Sequence, residues 1–285
     1  MYEVVLPTDR WSARIVSPVD IRDGLKSDHD GVVVVHPGWG KAPERNWTLL
    51  ERLAREGFLP LGVDTRYGYA DRRLPRRGVT SQPYVVGARN PYFELMHASD
   101  NRWRYRRPTV LLDICERLGI GKRSYVGHSE GGRITALAAT ANPDITNKLI
   151  VINGAGTGSS AKGAARLVRS NANRISELAR TRNELVEATV SALGSTAYAL
   201  SHLRRTNRER HEIQATDTWK ILDELAQTPV DVTVLHARQD EMISFSDSAL
   251  RANERNWVDF VPTDGGHSNV YDTAIHSLVI DALKK

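Results

Sequence analysis

The sequence predicts an α/β protein, a mostly parallel twisted sheet flanked by helices, with a block of helices inserted into it. Three observations predict this. Short apolar runs of strand type alternate with segments of helical period between residues 31 and 152. The alternation then stops, and residues 157–227 carry helical patterns with no convincing strand. Beyond Pro229 the alternation resumes. Strands separated by helices pair in parallel, and the helices cover both faces of the resulting sheet.

Each element has its own signal. Gly31 to Val35 places four valines after a turn cluster of Asp28, His29, Asp30 and Gly31, which reads as a strand buried on both faces. A loop, His36-Pro37-Gly38-Trp39-Gly40, follows. Glu44 to Glu56 puts Trp47, Leu50, Leu53 and Ala54 on one helical face, with Gly57 as the glycine that ends it. Phe58 to Val63 is the next strand, closed by Asp64. From Tyr67 to Pro108 arginine, proline and glycine recur without a period, which predicts loops and short helical turns. Thr109 to Leu118 returns to helical spacing, Ser124 to Val126 is a short strand, Glu130 to Ala141 an alanine-rich helix and Lys148 to Ile152 a strand.

Within the inserted block, Leu167, Val168, Ile175, Leu178, Leu185, Val186, Val190 and Leu193 mark amphipathic faces, and Trp219, Leu222 and Leu225 mark its last helix. Val232 to Leu235 (strand), Ser246 to Asn253 (helix), Trp257 to Val261 (strand) and Tyr271 to Lys284 (helix) complete the chain. The expected organisation is a core of residues 1–156 and 228–285 with a helical cap, residues 157–227, between the strands Lys148 to Ile152 and Val232 to Leu235.

Composition narrows the class. A chain of 285 residues can bury a core without staples, and 40% hydrophobic with 26% charged residues is ordinary for a globular protein. The single cysteine, Cys115, cannot form an internal disulfide and reads as a small buried hydrophobe on a helix. Met1 to Arg10 lack the apolar stretch of a secretory signal. No run approaches the roughly 18–20 apolar residues of a membrane helix. The expectation is a cytoplasmic protein without membrane contact.

The net charge of +5 allows an anionic partner or only a solvated surface. Arg102-Trp103-Arg104-Tyr105-Arg106-Arg107 interleaves basic and aromatic residues, and residues 72–77 and 202–211 are also basic. Such stretches are read as a nucleic-acid surface, as a solvated helix face whose arginine stems cover apolar surface, or as a pocket rim that selects an anionic substrate. The pocket rim is preferred over nucleic acid.

The strongest local signal is Gly127-His128-Ser129-Glu130-Gly131, between an apolar strand and a helix. A serine on a tight strand-to-helix turn adopts strained backbone angles, so the residues two before and two after it must be small. The helix N-terminus beside it favours negative charge, and the backbone N–H of Glu130 would point at a developing oxyanion. Ser124 to Gly132 resembles the nucleophile elbow of the α/β-hydrolase superfamily, and the resemblance extends from about Val32 to Leu283. Val33 to Gly40 is similar to that family's strand and oxyanion loop, and Gly62 to Tyr69 to its next strand end. The family loop places glycine directly after the histidine. Here Pro37 intervenes and has no N–H to donate, so Trp39, ahead of Gly38, is the expected second oxyanion donor.

The resemblance implies a triad in the order serine, acid, histidine. Asp240 ends the strand Val232 to Leu235 and its turn, and matches the family acid. His267 lies in a glycine loop after Phe260 and Val261, and matches the family base. Asp64 is the alternative acid, and Asp264 reads as a turn residue. His36, His128 and His236 all fall near strand ends, with His128 under the site.

Other motifs are weaker. Gly156-Thr157-Gly158-Ser159-Ser160-Ala161 has dinucleotide spacing, but no second strand ending in an acid follows, so it reads as a hinge into the cap. No zinc spacing and no phosphate loop occurs, and neither a cofactor nor a metal is expected. The expected protein is therefore a serine hydrolase with Ser129, Asp240 and His267 as its triad, acting by acyl transfer on a small-molecule carboxylic ester. Carbon–carbon bond hydrolysis on the same triad is the alternative, and a non-catalytic nucleic-acid-binding module is the rival of another class. The oligomeric state is left open.

Overall fold

The computed structural model describes residues 1–7, 12–39, 41–65, 90–97, 102–159 and 211–285. Its strands are β1 (Tyr2–Pro7), β2 (Ser12–Ser17), β3 (Val32–His36), β4 (Leu59–Asp64), β5 (Arg123–His128), β6 (Thr146–Ile152), β7 (Asp231–Ala237) and β8 (Val258–Thr263). They form one eight-stranded sheet in the order β1-β2-β4-β3-β5-β6-β7-β8. β1 and β2 are antiparallel to each other, β2 is antiparallel to β4, and every other pairing is parallel. The described helices are α1 (Ile21–Gly24), α2 (Trp47–Arg55), α3 (Phe93–His97), α4 (Arg102–Arg117), α5 (Glu130–Ala141), α6 (Thr218–Asp223), α7 (Phe245–Asn253) and α8 (Thr273–Lys284), and residues 211–215 are also helical.

Two hydrophobic layers hold the sheet. Val32 and Val34 of β3 face one side, with α4, α5 and α6; Val33 and Val35 face the other, with α2 and α8. Alternate residues of a strand point to opposite faces, so a run of valines suits a strand covered on both sides. Gly57, at φ +90°, ends the turn after α2 in the left-handed region, as its position predicts.

Three expectations need correction. The hairpin β1–β2 is not among the expected strands. No helix separates its two strands, so it falls outside the strand–helix alternation on which the expectation rests, and Arg14 on it is held across the pair by Glu3 at 2.5 Å. The helix expected from Glu44 begins with a 3₁₀ turn, Pro43–Asn46, before α2. The helix expected from Thr109 starts at Arg102 and carries Pro108 inside it. Proline removes the N–H that would bond the carbonyl four residues earlier, that of Arg104. Arg133 Nη1 donates to this carbonyl instead, at 3.2 Å.

The expected cap lies largely outside the described residues. At its ends, Thr218 N donates to the Gly156 carbonyl at 3.0 Å, and Trp219 Nε1 to the Thr157 carbonyl at 2.6 Å. The chain thus leaves the sheet after β6 and returns to nearly the same point. Trp219 and Leu222 of α6 sit in the core layer shared with α5. Among the described residues no helix is long and apolar enough to cross a membrane.

Candidate active site

β5 ends at His128, and Ser129 stands on the turn into α5 with φ 55° and ψ −119°. This is a region that L-residues occupy only when surrounding structure imposes it. The surrounding structure is tight. A Cβ on Gly127 would lie 2.3 Å from Thr135 Oγ1 and 2.4 Å from the Gly131 carbonyl oxygen. One on Gly131 would lie 2.3 Å from the His36 carbonyl oxygen. Both positions therefore require glycine. Ser129 N donates to the Ile152 carbonyl at 2.9 Å, and the Ser129 carbonyl accepts from Gly132 N and Ala155 N, both at 3.0 Å.

The loop after β3 passes against this turn. A Cβ on Gly38 would lie 3.2 Å from Ser129 Cβ. His36 is buried, with its ring nitrogens 2.8 Å from the Pro37 carbonyl and 2.8 Å from Thr65 Oγ1. Gly38 and Glu130, two of the expected oxyanion donors, therefore flank the serine from two sides. Trp39 follows Gly38, half-buried.

The Glu130 side chain points away into a buried charge cluster. Arg107 Nη1 lies 2.5 Å from Glu130 Oε2, and Arg133 Nη2 lies 3.5 Å from Glu130 Oε1. Burial opposes the Arg133 charge, Glu130 supports it and Arg107 opposes it again, with a net downward push. The arginine run is thus not a solvated face where it reaches Arg106 and Arg107, which are buried. A helix packed against α5 turns these residues inward, and Glu130 supplies the counter-charge for Arg107. The basic stretches 72–77 and 202–210 lie outside the described residues.

β7 leads through a turn to Asp240, whose side chain has no exposed surface. Asp240 Oδ1 accepts from Met242 N at 2.8 Å and Ile243 N at 2.9 Å. Its Oδ2 lies 2.8 Å from His267 Nδ1 and 3.6 Å from His236 Nε2. Burial alone would raise the Asp240 pKa. The neighbouring His267 and the two backbone N–H groups outweigh it and hold the carboxyl below its ordinary range. His267, on the loop after β8, places Nε2 2.9 Å from Ser129 Oγ. With Asp240 as acceptor, Nδ1 carries the proton, and Nε2 is left to accept from the serine hydroxyl.

The structure therefore brings Ser129, His267 and Asp240 into one hydrogen-bonded line. Asp64, the alternative acid, lies buried at the end of β4 on the β2 side. Asp264 contributes a carbonyl to a turn, accepting from Asn269 Nδ2 at 2.8 Å. Cys115 is buried in the core, where burial raises its thiol pKa.

The family model for the α/β-hydrolase fold matches residues 31–168. The chain has the α/β-hydrolase fold. Solved structures agree in fold across nearly the whole chain. An esterase from Exiguobacterium antarcticum is 14% identical over 99% of this chain and 98% of its own, with a TM-score of 0.63. The 2-hydroxy-6-oxo-6-phenylhexa-2,4-dienoate hydrolase of Rhodococcus sp. is 18% identical over 100% of this chain and 99% of its own, with a TM-score of 0.65. A deformylase of N-formylmaleamic acid from Pseudomonas putida is 15% identical over 100% of both chains, with a TM-score of 0.61. At these identities the likeness is one of fold.

The candidate site also has members that sequence reasoning misses. Two side chains converge on the His267 carbonyl: His128 Nε2 at 2.8 Å and Asn153 Nδ2 at 3.0 Å. Asn153 follows β6 with φ 46°. The available signal was an asparagine at a strand end, since asparagine is enriched at positive φ. Beyond it, Gly156 (φ +82°) and Gly158 edge a cavity of about 490 Å³ shared with Thr216, Asp217, Asp247 and Arg251. The dinucleotide-like spacing thus turns the chain at the expected hinge; Ser160 and Ala161 lie outside the described residues. Among the described residues no His, Cys, Asp and Glu cluster is placed to hold a metal ion.

Proposed function

We propose that this chain is a serine hydrolase that transfers an acyl group to water, with a small-molecule carboxylic ester as substrate. The observation that carries the reading is the line from Ser129 Oγ to His267 Nε2 (2.9 Å) and from His267 Nδ1 to Asp240 Oδ2 (2.8 Å). A serine hydroxyl is a weak nucleophile until a base takes its proton. In the proposed cycle His267 Nε2 accepts that proton as Ser129 Oγ bonds to the ester carbonyl carbon. The oxyanion is met by the backbone N–H of Glu130 and that of Trp39, with Gly38 as the alternative. His267 then gives the proton to the leaving alcohol as the ester C–O bond breaks. Water next gives a proton to His267 and bonds to the acyl carbon. Ser129 Oγ departs with the proton, and the carboxylic acid leaves. Asp240 remains ionised, held so by His267 and two backbone N–H groups, and fixes the imidazole tautomer.

Residues 157–227 serve in this reading as the cap over the serine; the meeting of their two ends at Gly156 and Thr218 supports an insertion. Carbon–carbon bond hydrolysis on the same three side chains is the second reading, favoured by the fold shared with a dienoate hydrolase. An anionic substrate is the preferred form in either reading: a dienoate is anionic, and the chain carries a net charge of +5. The nucleic-acid module loses support because Arg106 and Arg107 are buried.

The test is labelling with a fluorophosphonate probe, mapped by mass spectrometry, together with p-nitrophenyl acetate turnover, on wild type and His267→Ala. Labelling at Ser129 that collapses in the variant is the expected result. Labelling elsewhere, or equal labelling of both proteins, would overturn the assignment. Labelling without ester turnover would move the reading to the carbon–carbon alternative.

A further inference from the structure

The triad geometry depends on where the His267 backbone sits, because the loop that carries His267 contains Gly265 and Gly266 and has little stiffness of its own. What fixes it comes from the neighbouring strands. Asn153 is completely buried and lies directly after β6. Its Nδ2 donates to the His267 carbonyl at 3.0 Å and to Asn269 Oδ1 at 2.8 Å. Its Oδ1 accepts from Ala237 N at 2.8 Å, at the end of β7, and its own N donates to the Leu235 carbonyl at 2.9 Å. The amide orientation is not ambiguous: a backbone N–H can only donate, and a carbonyl can only accept. Asn269 passes the connection on, donating to Thr263 Oγ1 at 2.9 Å and to the Asp264 carbonyl at 2.8 Å. One side chain thus ties the strand beside the nucleophile, the strand that leads to the acid and the loop that carries the base.

We infer that Asn153 is a positioning residue, which sets the His267 backbone so that its imidazole stands between Ser129 and Asp240. The inference rests on the reading of those three residues as the reacting set. Asparagine alone meets all the demands of the position. It tolerates φ 46°, and its short amide supplies two donors and one acceptor. Aspartate would fit the space but would turn carboxylate oxygen toward the His267 carbonyl and Asn269 Oδ1. His128 Nε2, 2.8 Å from the same carbonyl, is the second hold. Since a carbonyl can only accept, the His128 proton lies on Nε2. The remaining hold explains why loss of Asn153 should misplace the base rather than release it.

Asn153→Gly is the informative variant, because glycine accepts the positive φ and removes only the amide. Misplacement of a catalytic group by about an ångström costs on the order of 10- to 100-fold in rate. The fluorophosphonate labelling rate at Ser129 should fall by that factor, and kcat for p-nitrophenyl acetate should fall with it while KM stays within about twofold. In a His267→Ala background the same change should have no further effect, because Asn153 acts through His267. A purely structural role would lower activity in both backgrounds. Equal labelling of wild type and Asn153→Gly would overturn the inference.

A second readout does not need an active enzyme. NMR of the wild type should show the hydrogen-bonded Nδ1 proton of His267, shared with Asp240. Asn153→Gly, or Asn153→Ser should the glycine variant not fold, should shift or broaden it. An unchanged resonance, or none in the wild type, would overturn the inference. A wild type that shows the resonance but does not label would instead overturn the hydrolase reading and leave the positioning role standing.

Discussion

On the β5–α5 side of the site, an added Cβ at Gly127 or Gly131 would come within 2.4 Å of neighbouring atoms, so shape fixes Ser129. On the β7–β8 side, Asp240 and His267 sit on turns held by hydrogen bonds from Met242, Ile243, His128 and Asn153. The difference teaches where tolerance lies. A sterically determined turn admits one residue at each position, and a hydrogen-bonded one admits any residue that keeps the donors and acceptors. The first fails by refusing to form, the second by losing alignment.

The largest expected effect spans both sides. Ser129→Ala and His267→Ala should each reduce kcat by about 10⁶, the loss seen when members of a triad act as a unit. The double variant should be no worse than either single one. Asp240→Asn should cost about 10⁴, because the imidazole tautomer is lost while the geometry remains. Ester turnover with fluorophosphonate labelling checks all three. A Ser129→Ala variant with wild-type turnover would remove the packed side from the chemistry altogether.

Next come the variants that separate packing from charge beside Ser129. Arg107→Met should destabilise the fold by roughly 3–5 kcal/mol, since it leaves the buried Glu130 with a poorer counter-charge, that of Arg133 at 3.5 Å. Replacing Arg107 and Glu130 together with apolar residues of similar volume should recover much of that loss. Urea denaturation read by circular dichroism measures both. Gly131→Ala should cost at least about 1–3 kcal/mol, as overpacking does. Since the clash is with the His36 carbonyl, labelling of Ser129 should fall even where the protein folds. A Gly131→Ala protein of unchanged stability and reactivity would break the contrast between the two sides.

The same contrast explains what was legible in the sequence. Steric requirements leave residue signatures: Gly127, Ser129 and Gly131 on a strand-to-helix turn were readable, and so were the valines of β3, because burial on both faces demands an unbroken apolar run. The hydrogen-bonded line of Ser129, His267 and Asp240 was reached through resemblance in chain order. Hydrogen-bonded support leaves weaker signatures, because many residues can donate or accept and the partners are distant in sequence. Asn153 and Ala237 are 84 residues apart, and Asn153 and His267 are 114 apart. Arg106 and Arg107 misled for a related reason. The counter-charge of Arg107, Glu130, lies on another helix, and Pro108 hid the helix that carries both arginines. The hairpin β1–β2 was missed because no helix separates its strands, so it falls outside the alternation that marked the others.

The smallest effect is in pH, and it too should divide the molecule. His236 is buried between Phe245 and Phe260, with Asp240 and His267 as its titratable neighbours. Burial lowers its pKa; Asp240 and the Ile243 carbonyl work the other way without cancelling the effect. His276, buried near Arg52 and Asp272, is lowered by burial as well. A folded-state pKa below the unfolded value means that the unfolded chain binds the proton first as pH falls. The stability contribution is full above the ordinary imidazole value of about 6.5 and is lost as pH drops from there toward the folded-state pKa. Asp240 has the same sign one step lower: its contribution is present above the ordinary carboxyl value of about 3.9 and is lost below it. The melting temperature should therefore decline in two stages on acidification. His236→Gln should shallow the first stage and leave the second, with His276 supplying the slope that remains. Asp240→Asn should remove its share of the second. Gly131→Ala should lower the whole curve in parallel, because a steric clash does not titrate. A His236→Gln curve parallel to the wild type between pH 7 and about 5 would show that this histidine does not separate the two sides by its charge.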